Sequence, residues 1–276
     1  MQLVVDDVSY HAKWLTSYKH QQPTLVCLHG FTSTHQTFAF LTQSAEMAGY
    51  NLLAFDLIGH GKSDSPAMAA PYTYQMVLKV IAQLLDQLGL AQVAILGYSM
   101  GARVAIGFTI SYPERVSRLI IESGTPGLKT STERQTRRQS DERLAERILT
   151  EGVPAFVDFW GNLPLFDTQK NLPKRVRDRV RLERLSQSAQ GLANSLRFMG
   201  TGSMPNYWPR LASLKIVPVA IIVGERDTKF CRIADAIHHQ LPTSQIICVP
   251  DAGHCVHLER PDQIAYLVTQ LMEGIV

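Results

Sequence analysis

A short apolar run, Val93-Ala94-Ile95-Leu96, leads into Gly97-Tyr98-Ser99-Met100-Gly101, and Arg103-Val104-Ala105-Ile106-Gly107-Phe108 follows with the pattern of a starting helix. A strand, a G-x-S-x-G turn and a helix in that order make a nucleophile elbow, in which a strained turn lifts a serine hydroxyl clear of a sheet. The flanking glycines are needed because the backbone bends too sharply there for side chains. The pentapeptide alone is a weak signal. Between a strand and a helix it points to Ser99 as a nucleophile or its relay.

The rest of the chain supplies the sheet that such an elbow requires. Strand-like runs at Leu25–Leu28, Asn51–Phe55, Val93–Leu96, Val116–Ile121, Val219–Val223 and Gln245–Val249 alternate with helical patterns. The helix candidates are Thr37–Ala48, Tyr74–Leu88, Arg103–Ser111, Arg232–Gln240 and Asp262–Met272. This alternation predicts an α/β fold with a mostly parallel central sheet and helices on both faces. Leu3–Val5 and Tyr10–Leu15 are expected to pair as an antiparallel hairpin at the sheet edge.

The rhythm breaks after Ser123 and resumes at Val219, and the polar, helical stretch between reads as an insertion. We expect residues 1–128 and 208–276 to form the core and residues 129–207 a helical cap. Residues 129–210 carry fifteen Lys and Arg against nine Asp and Glu, whereas the rest of the chain carries twelve against fifteen. A cationic insertion on a mildly acidic body suits a small anionic substrate, although a solvated helical face would have the same composition.

A net charge of +3 over 276 residues gives no reason to expect nucleic acid. The first residues lack the basic and long apolar regions of a signal peptide, and no apolar stretch is long enough to span a bilayer. Cys27, Cys231, Cys248 and Cys255 show no paired spacing, and Cys27 and Cys248 fall in apolar strand runs. Reduced, mostly buried thiols in a cytoplasmic protein are the expectation. No H-E-x-x-H, paired cysteines or carboxylate cluster indicates a metal.

A serine needs a base, and the base an orienting carboxylate, in the chain order Ser, Asp or Glu, His. Asp227 follows the strand Val219–Val223 and His254 follows Gln245–Val249, so both reach the sheet edge that carries Ser99. The rivals are weaker: Glu225 and Asp251 are closer to their strands, and His257 should lie further into the loop, away from the strand end. His238 and His239 fall on a helix. Met100 N–H, just after the nucleophile, and Phe31 N–H, in Leu28-His29-Gly30-Phe31, are the expected oxyanion donors. That reading leaves His29 structural. The glycine-rich turn Asp56-Leu57-Ile58-Gly59-His60-Gly61-Lys62-Ser63 lacks phosphate-loop spacing and reads as loop architecture.

Together, His29-Gly30-Phe31, the Asp56–Gly61 turn, the elbow, Gly224-Glu225-Arg226-Asp227 and Gly253-His254 resemble the α/β-hydrolase superfamily across essentially the whole chain. Residues that the fold does not require narrow the likeness. Arg103 stands one turn past the nucleophile, and Glu122-Ser123-Gly124-Thr125-Pro126-Gly127-Leu128 opens the insertion. Glu133 to Arg138, Ser140-Asp141, Phe159-Trp160, Leu163 to Phe166 and Asp227-Thr228-Lys229-Phe230 follow. This set resembles the 2-succinyl-6-hydroxy-2,4-cyclohexadiene-1-carboxylate synthases of menaquinone biosynthesis. Ala102 departs from the glycine frequent there, and Thr125 from a variable position.

The resemblance implies a carbon–oxygen lyase without a cofactor. It would remove a ring proton from 2-succinyl-5-enolpyruvyl-6-hydroxy-3-cyclohexene-1-carboxylate and eliminate pyruvate, with Ser99, His254 and Asp227 as the proton relay. Arg103 and Arg137 match the carboxylate-binding arginines, and Tyr98, Trp160, Arg184 and Lys229 would line the pocket. A serine carboxylesterase or C–C bond hydrolase of the same fold is the first alternative. A non-catalytic small-molecule receptor is the second.

Overall fold

Eight strands form one sheet in the order β1-β2-β4-β3-β5-β6-β7-β8, in a computed structural model that describes residues 1–274. They are β1 (Gln2–Val5), β2 (Val8–Trp14), β3 (Thr24–Leu28), β4 (Asn51–Phe55), β5 (Val93–Tyr98), β6 (Val116–Glu122), β7 (Val219–Gly224) and β8 (Gln245–Val249). The expected hairpin is β1–β2, and β2 joins β4 antiparallel; every other pair is parallel. Strands β3, β4, β5 and β7 are buried along their whole length, which is why they read as continuous apolar runs rather than alternating ones.

Helices cover both faces. α1 (Tyr74–Gln87), α2 (Met100–Ser111), α6 (Thr228–Gln240), the single turn α7 (Val256–Glu259) and α8 (Pro261–Glu273) pack on the sheet. Between β6 and β7 lie α3 (Ser131–Gly161), α4 (Lys174–Leu185) and α5 (Ala189–Met199). A capping box starts α3, in which Thr130 Oγ1 accepts from Glu133 N–H and the Glu133 carboxylate accepts from Thr130 N–H. The helix is broken at Gly152 (φ 84), just before Pro154, which has no N–H to continue the ladder. Ala145, Ile148, Phe156, Val157, Leu192, Ala193 and Leu196 of α3 and α5 form a small core of their own.

Three sequence expectations need correction. The Thr37–Ala48 helix is instead two 3₁₀ segments, His35–Gln43 and Ala45–Gly49, split at Ser44. Ser44 is extended (φ −84, ψ 124) and donates its hydroxyl to Glu46, a local hydrogen bond that competes with helix continuation. Helices α2 and α6 begin three or more residues earlier than their apolar pattern suggests, because each grows directly out of a turn at the sheet edge. Cys248 is exposed although it lies in a strand, since β8 is an edge strand; Cys27 and Cys255 are buried, Cys231 is half-buried, and all four are free.

The elbow is the tightest point of this framework. Ser99 takes φ 50 and ψ −101, a combination that side chains disfavour and that costs about 1–3 kcal/mol. It is clamped by Ser99 N–H donating to Glu122 O of β6 (2.9 Å) and by Arg103 N–H donating back to Ser99 O (3.1 Å). A Cβ on Gly101 would come 1.9 Å from Leu28 O, and one on Gly97 2.5 Å from Gly101 O. The glycines therefore permit backbone contact between α2, β3 and β5. Gly101→Ala is expected to cost at least about 2 kcal/mol in chemical denaturation, because both clashing partners are backbone. An unchanged denaturation midpoint would contradict this packing.

Candidate active site

Two strand ends and the elbow bring three distant side chains into one line. His254 Nε2 lies 3.0 Å from Ser99 Oγ, and His254 Nδ1 lies 2.7 Å from Asp227 Oδ2. The Asp227 and His254 side chains are almost completely buried, whereas Ser99 is half-buried and faces a cavity. Asp227 also caps α6, with Oδ1 accepting from Phe230 N–H at 3.2 Å. The carboxylate is thus held by the helix start and fixes Nδ1 of His254 as donor, leaving Nε2 to face the serine. The rival carboxylates are engaged elsewhere: Asp251 pairs with Arg226, and Glu225 accepts from Asp251 N–H.

The cavity has a volume of about 840 Å³. Phe31 and Met100 line it beside Ser99, and among the described residues neither backbone N–H meets an acceptor. Free N–H groups at an elbow are what an oxyanion site requires. All six residues expected to contact substrate line the same cavity: Tyr98, Arg103, Arg137, Trp160, Arg184 and Lys229. Trp160 packs edge-on against Phe31 with ring centroids 5.3 Å apart, and its buried Nε1–H has no acceptor. Lys229 is exposed at the rim. The sequence reading missed two further cationic lining residues, Arg175 and Arg179 on α4; their exposed, charge-rich helix gave no pattern that separates cavity from solvent.

The electrostatics are unbalanced toward positive charge. Arg103 is 9% exposed and donates Nη1–H to Met199 O at 2.8 Å, but among the described residues it forms no ion pair. Burial lowers its pKa, aided by the neighbouring Arg137 charge and opposed by Tyr74 and Asp141. Arg137 donates Nε–H to Asp141 Oδ1 at 2.8 Å, while Asp141 Oδ2 is buried without a donor. Burial raises the pKa of Asp141 despite Arg137 and Arg103. Arg184 lies over the Phe166 ring, and burial lowers its pKa as well. One carboxylate faces two guanidiniums here, so a bound anion would relieve an uncompensated charge.

One of the histidine readings changes. His257 is not out in a loop: it lies on α7, fully inside, with Nδ1 2.8 Å from Glu122 Oε1, and it lines the cavity. The short helix after Cys255 folds the chain back under the strand ends, which a four-residue pattern does not announce. His29 keeps an architectural place, donating Nδ1–H to Gly30 O at 2.7 Å and accepting Leu57 N–H at Nε2. In the glycine-rich turn, Asp56 accepts from His35 N–H, His35 Nδ1–H and Lys62 N–H, which ties the loop to the start of the first 3₁₀ segment. One ligand atom each of His11, His35 and Asp56 lies within 4.8 Å of the others, a cluster that residues so far apart in sequence do not reveal. Both Asp56 oxygens there are already engaged by His35 and Lys62.

A strand-elbow-helix serine with a buried His–Asp pair on a mostly parallel sheet defines the α/β-hydrolase class. A sequence profile describing the alpha/beta hydrolase fold matches residues 23–261, and the chain belongs to that family. Within it, the chain is 45% identical over 251 residues to a Bacillus subtilis (strain 168) protein named provisionally as a 2-succinyl-6-hydroxy-2,4-cyclohexadiene-1-carboxylate synthase, covering 91% of this chain and 90% of that one. It is 29% identical to the Enterobacter sp. (strain 638) synthase of the same name, over 91% and 92% of the two chains. The solved structure of MenH from S. aureus superposes with a TM-score of 0.89 at 34% identity, covering 96% of this chain and 98% of that one. The chain therefore belongs to the 2-succinyl-6-hydroxy-2,4-cyclohexadiene-1-carboxylate synthase family. Among the described residues no helix is long and apolar enough to cross a membrane.

Asp56 supplies a pH test of the turn beside the site. Burial opposes its ionisation, but hydrogen bonds from His35 and Lys62, with the nearby His29 ring, outweigh it and hold the carboxyl at about 2, below the usual 3.8. A depressed folded pKa contributes stability that is full above 3.8 and is lost as pH falls toward about 2. Asp56→Asn should cost about 2 kcal/mol near neutral pH. The gap to wild type should close as denaturation curves are taken down through that acid range. A gap independent of pH would rule out the ionised, hydrogen-bonded carboxylate.

Proposed function

We propose that this protein is a carbon–oxygen lyase that eliminates pyruvate from 2-succinyl-5-enolpyruvyl-6-hydroxy-3-cyclohexene-1-carboxylate to give 2-succinyl-6-hydroxy-2,4-cyclohexadiene-1-carboxylate, a step of menaquinone biosynthesis in the cytoplasm. The observation that carries the reading is Arg103: a buried guanidinium that, among the described residues, forms no ion pair and lines the cavity onto which Ser99 opens. A neutral ester would leave that charge uncompensated, whereas a substrate with three carboxylates balances it. Arg103 and Arg137 then bind carboxylates, for which the planar guanidinium fork suits bidentate pairing. On this reading residues 129–207 are a cap that holds Arg137, Trp160 and Arg184 over a core of residues 1–128 and 208–276.

The chemistry follows from the order of the groups. His254 takes the Ser99 proton, Asp227 stabilises the imidazolium, and Ser99 removes the ring proton next to the succinyl ketone. Negative charge grows on the ketone oxygen, where Phe31 and Met100 N–H groups receive it. The electron pair then moves through the ring and expels the enolpyruvyl oxygen as pyruvate enolate, which takes up a proton. Tyr98 and Trp160 supply apolar walls with one polar edge, and Lys229 and Arg184 add positive charge around the bound anion.

Pyruvate release from the enolpyruvyl substrate tests both parts of the reading. Ser99→Ala should lower kcat on the order of 100-fold or more, the scale of a lost general base. Arg103→Ala should raise KM about ten-fold or more through a lost charge-assisted pair. A wild-type rate no faster than spontaneous elimination would sink the lyase reading. Accumulation of acylated Ser99 with a chromogenic ester, without pyruvate release, would establish a hydrolase instead.

A further inference from the structure

A thiol–imidazole pair backed by a buried carboxylate lies at the wall of the same cavity, one residue beyond His254, and the elimination does not use it. Cys255 Sγ lies 3.4 Å from His257 Nε2, and His257 Nδ1 lies 2.8 Å from Glu122 Oε1. Cys255 and His257 both border the cavity. The order thiol, imidazole, carboxylate repeats that of Ser99, His254 and Asp227, and it is the arrangement that activates a weak nucleophile.

The environment fixes the direction of the relay. Glu122 ends β6, is fully buried, and among the described residues its carboxylate accepts only from His257, through the backbone N–H at 3.0 Å and through Nδ1–H. A buried carboxylate with no lysine or arginine beside it favours a protonated imidazole. Burial works against that charge, but Cys255 and Glu122 outweigh it and raise the His257 pKa well above its ordinary value. The ring is held by Tyr98 edge-on at 4.6 Å and by Phe40 stacked at 5.9 Å, so Nε2 stays turned to the sulfur. Arg184 lines the same cavity as Cys255, which adds a second positive charge to the surroundings of the thiol. Cationic surroundings with solvent access are what separate a reactive cysteine from an inert buried one.

We propose that Cys255, activated through His257 and Glu122, is a second nucleophile of this cavity and forms thioether adducts with α,β-unsaturated carbonyl compounds that carry a carboxylate. The anionic class follows from Arg103, Arg137, Arg184 and Lys229 around the cavity. The electrophile class follows from the soft thiolate, which adds to a β-carbon. In the step, the pair enters as Cys255 thiolate and His257 imidazolium, the thiol proton already on Nε2, and the sulfur lone pair forms the S–C bond. The C=C pair becomes an enolate, and the imidazolium returns a proton to the α-carbon. The thiol has then added across the double bond, and no oxidant or leaving group is involved. This inference stands apart from the lyase reading, since it needs the cavity and its charges but not pyruvate release.

The test is a brief exposure of the intact protein to 4-maleimidobutyrate, an anionic α,β-unsaturated carbonyl probe, with each cysteine-containing peptide quantified by mass spectrometry. Cys248, exposed on the edge strand, serves as the internal standard for an ordinary thiol. Cys255 should react at least about ten-fold faster than Cys248, as an activated thiol does, and the excess should shrink with uncharged N-ethylmaleimide. Reaction of Cys255 no faster than Cys248 would overturn the proposal, as would an excess indifferent to probe charge. His257→Gln should slow Cys255 about ten-fold while Cys248 keeps its rate, and an unchanged Cys255 rate would also overturn it. Labelling of the fully buried Cys27 in the variant would reveal unfolding, in which case the wild-type ratios alone decide.

Discussion

Ser99 is held in a backbone conformation that its side chain disfavours, and the site exists only because the sheet can hold it there. The hydrogen bond from Ser99 N–H to Glu122 O ties the turn to β6, and Gly97 and Gly101 let β5, β3 and α2 approach to backbone contact. The strain of about 1–3 kcal/mol is small against the burial of β5 and α2, almost every residue of which is inside. The turn aims the hydroxyl at His254, and among the described residues Met100 N–H meets no acceptor. One local constraint thus sets both the Ser99–His254 contact and the position of Met100 N–H, which on the proposed reading meets a developing oxyanion. The same strand that clamps Ser99 ends in Glu122, whose side chain holds His257, so β6 supports both the serine and a second imidazole that borders the cavity.

Charge decides which reaction such a relay would serve. A serine relay in an apolar pocket suits acyl transfer to water. Here Arg103 is buried beside Ser99 and, among the described residues, forms no ion pair, while Asp141 pairs with Arg137. Holding a guanidinium in that state is costly without an anion, and on the proposed reading the substrate brings that negative charge with it. Helices α3 and α4 supply Arg137, Trp160, Arg175, Arg179 and Arg184 to the cavity lining, while Ser99, Asp227 and His254 come from the ends of the sheet strands.

The core strands and the relay order were legible because buried parallel strands are continuous apolar runs and each relay residue stands just past one of them. The Thr37–Ala48 segment misled because Ser44 trades helix continuation for a side-chain hydrogen bond, which apolar periodicity does not register. Cys248 misled because a strand pattern does not say which strand is at the edge. His257 misled for a third reason: its place depends on a single helical turn and on Glu122, 135 residues away in sequence. Contacts of that kind, like the His11, His35 and Asp56 cluster, arise only from the assembled fold.

The central claim is that Ser99 moves a proton rather than accepting an acyl group. The most direct test is turnover of substrate deuterated at the ring carbon next to the succinyl ketone, with rapid quench and intact mass of the enzyme in parallel. A primary isotope effect on pyruvate release, with no mass added at Ser99 during turnover, is the predicted result. A covalent adduct on Ser99 that forms and decays at the rate of product formation, with no isotope effect, would contradict it.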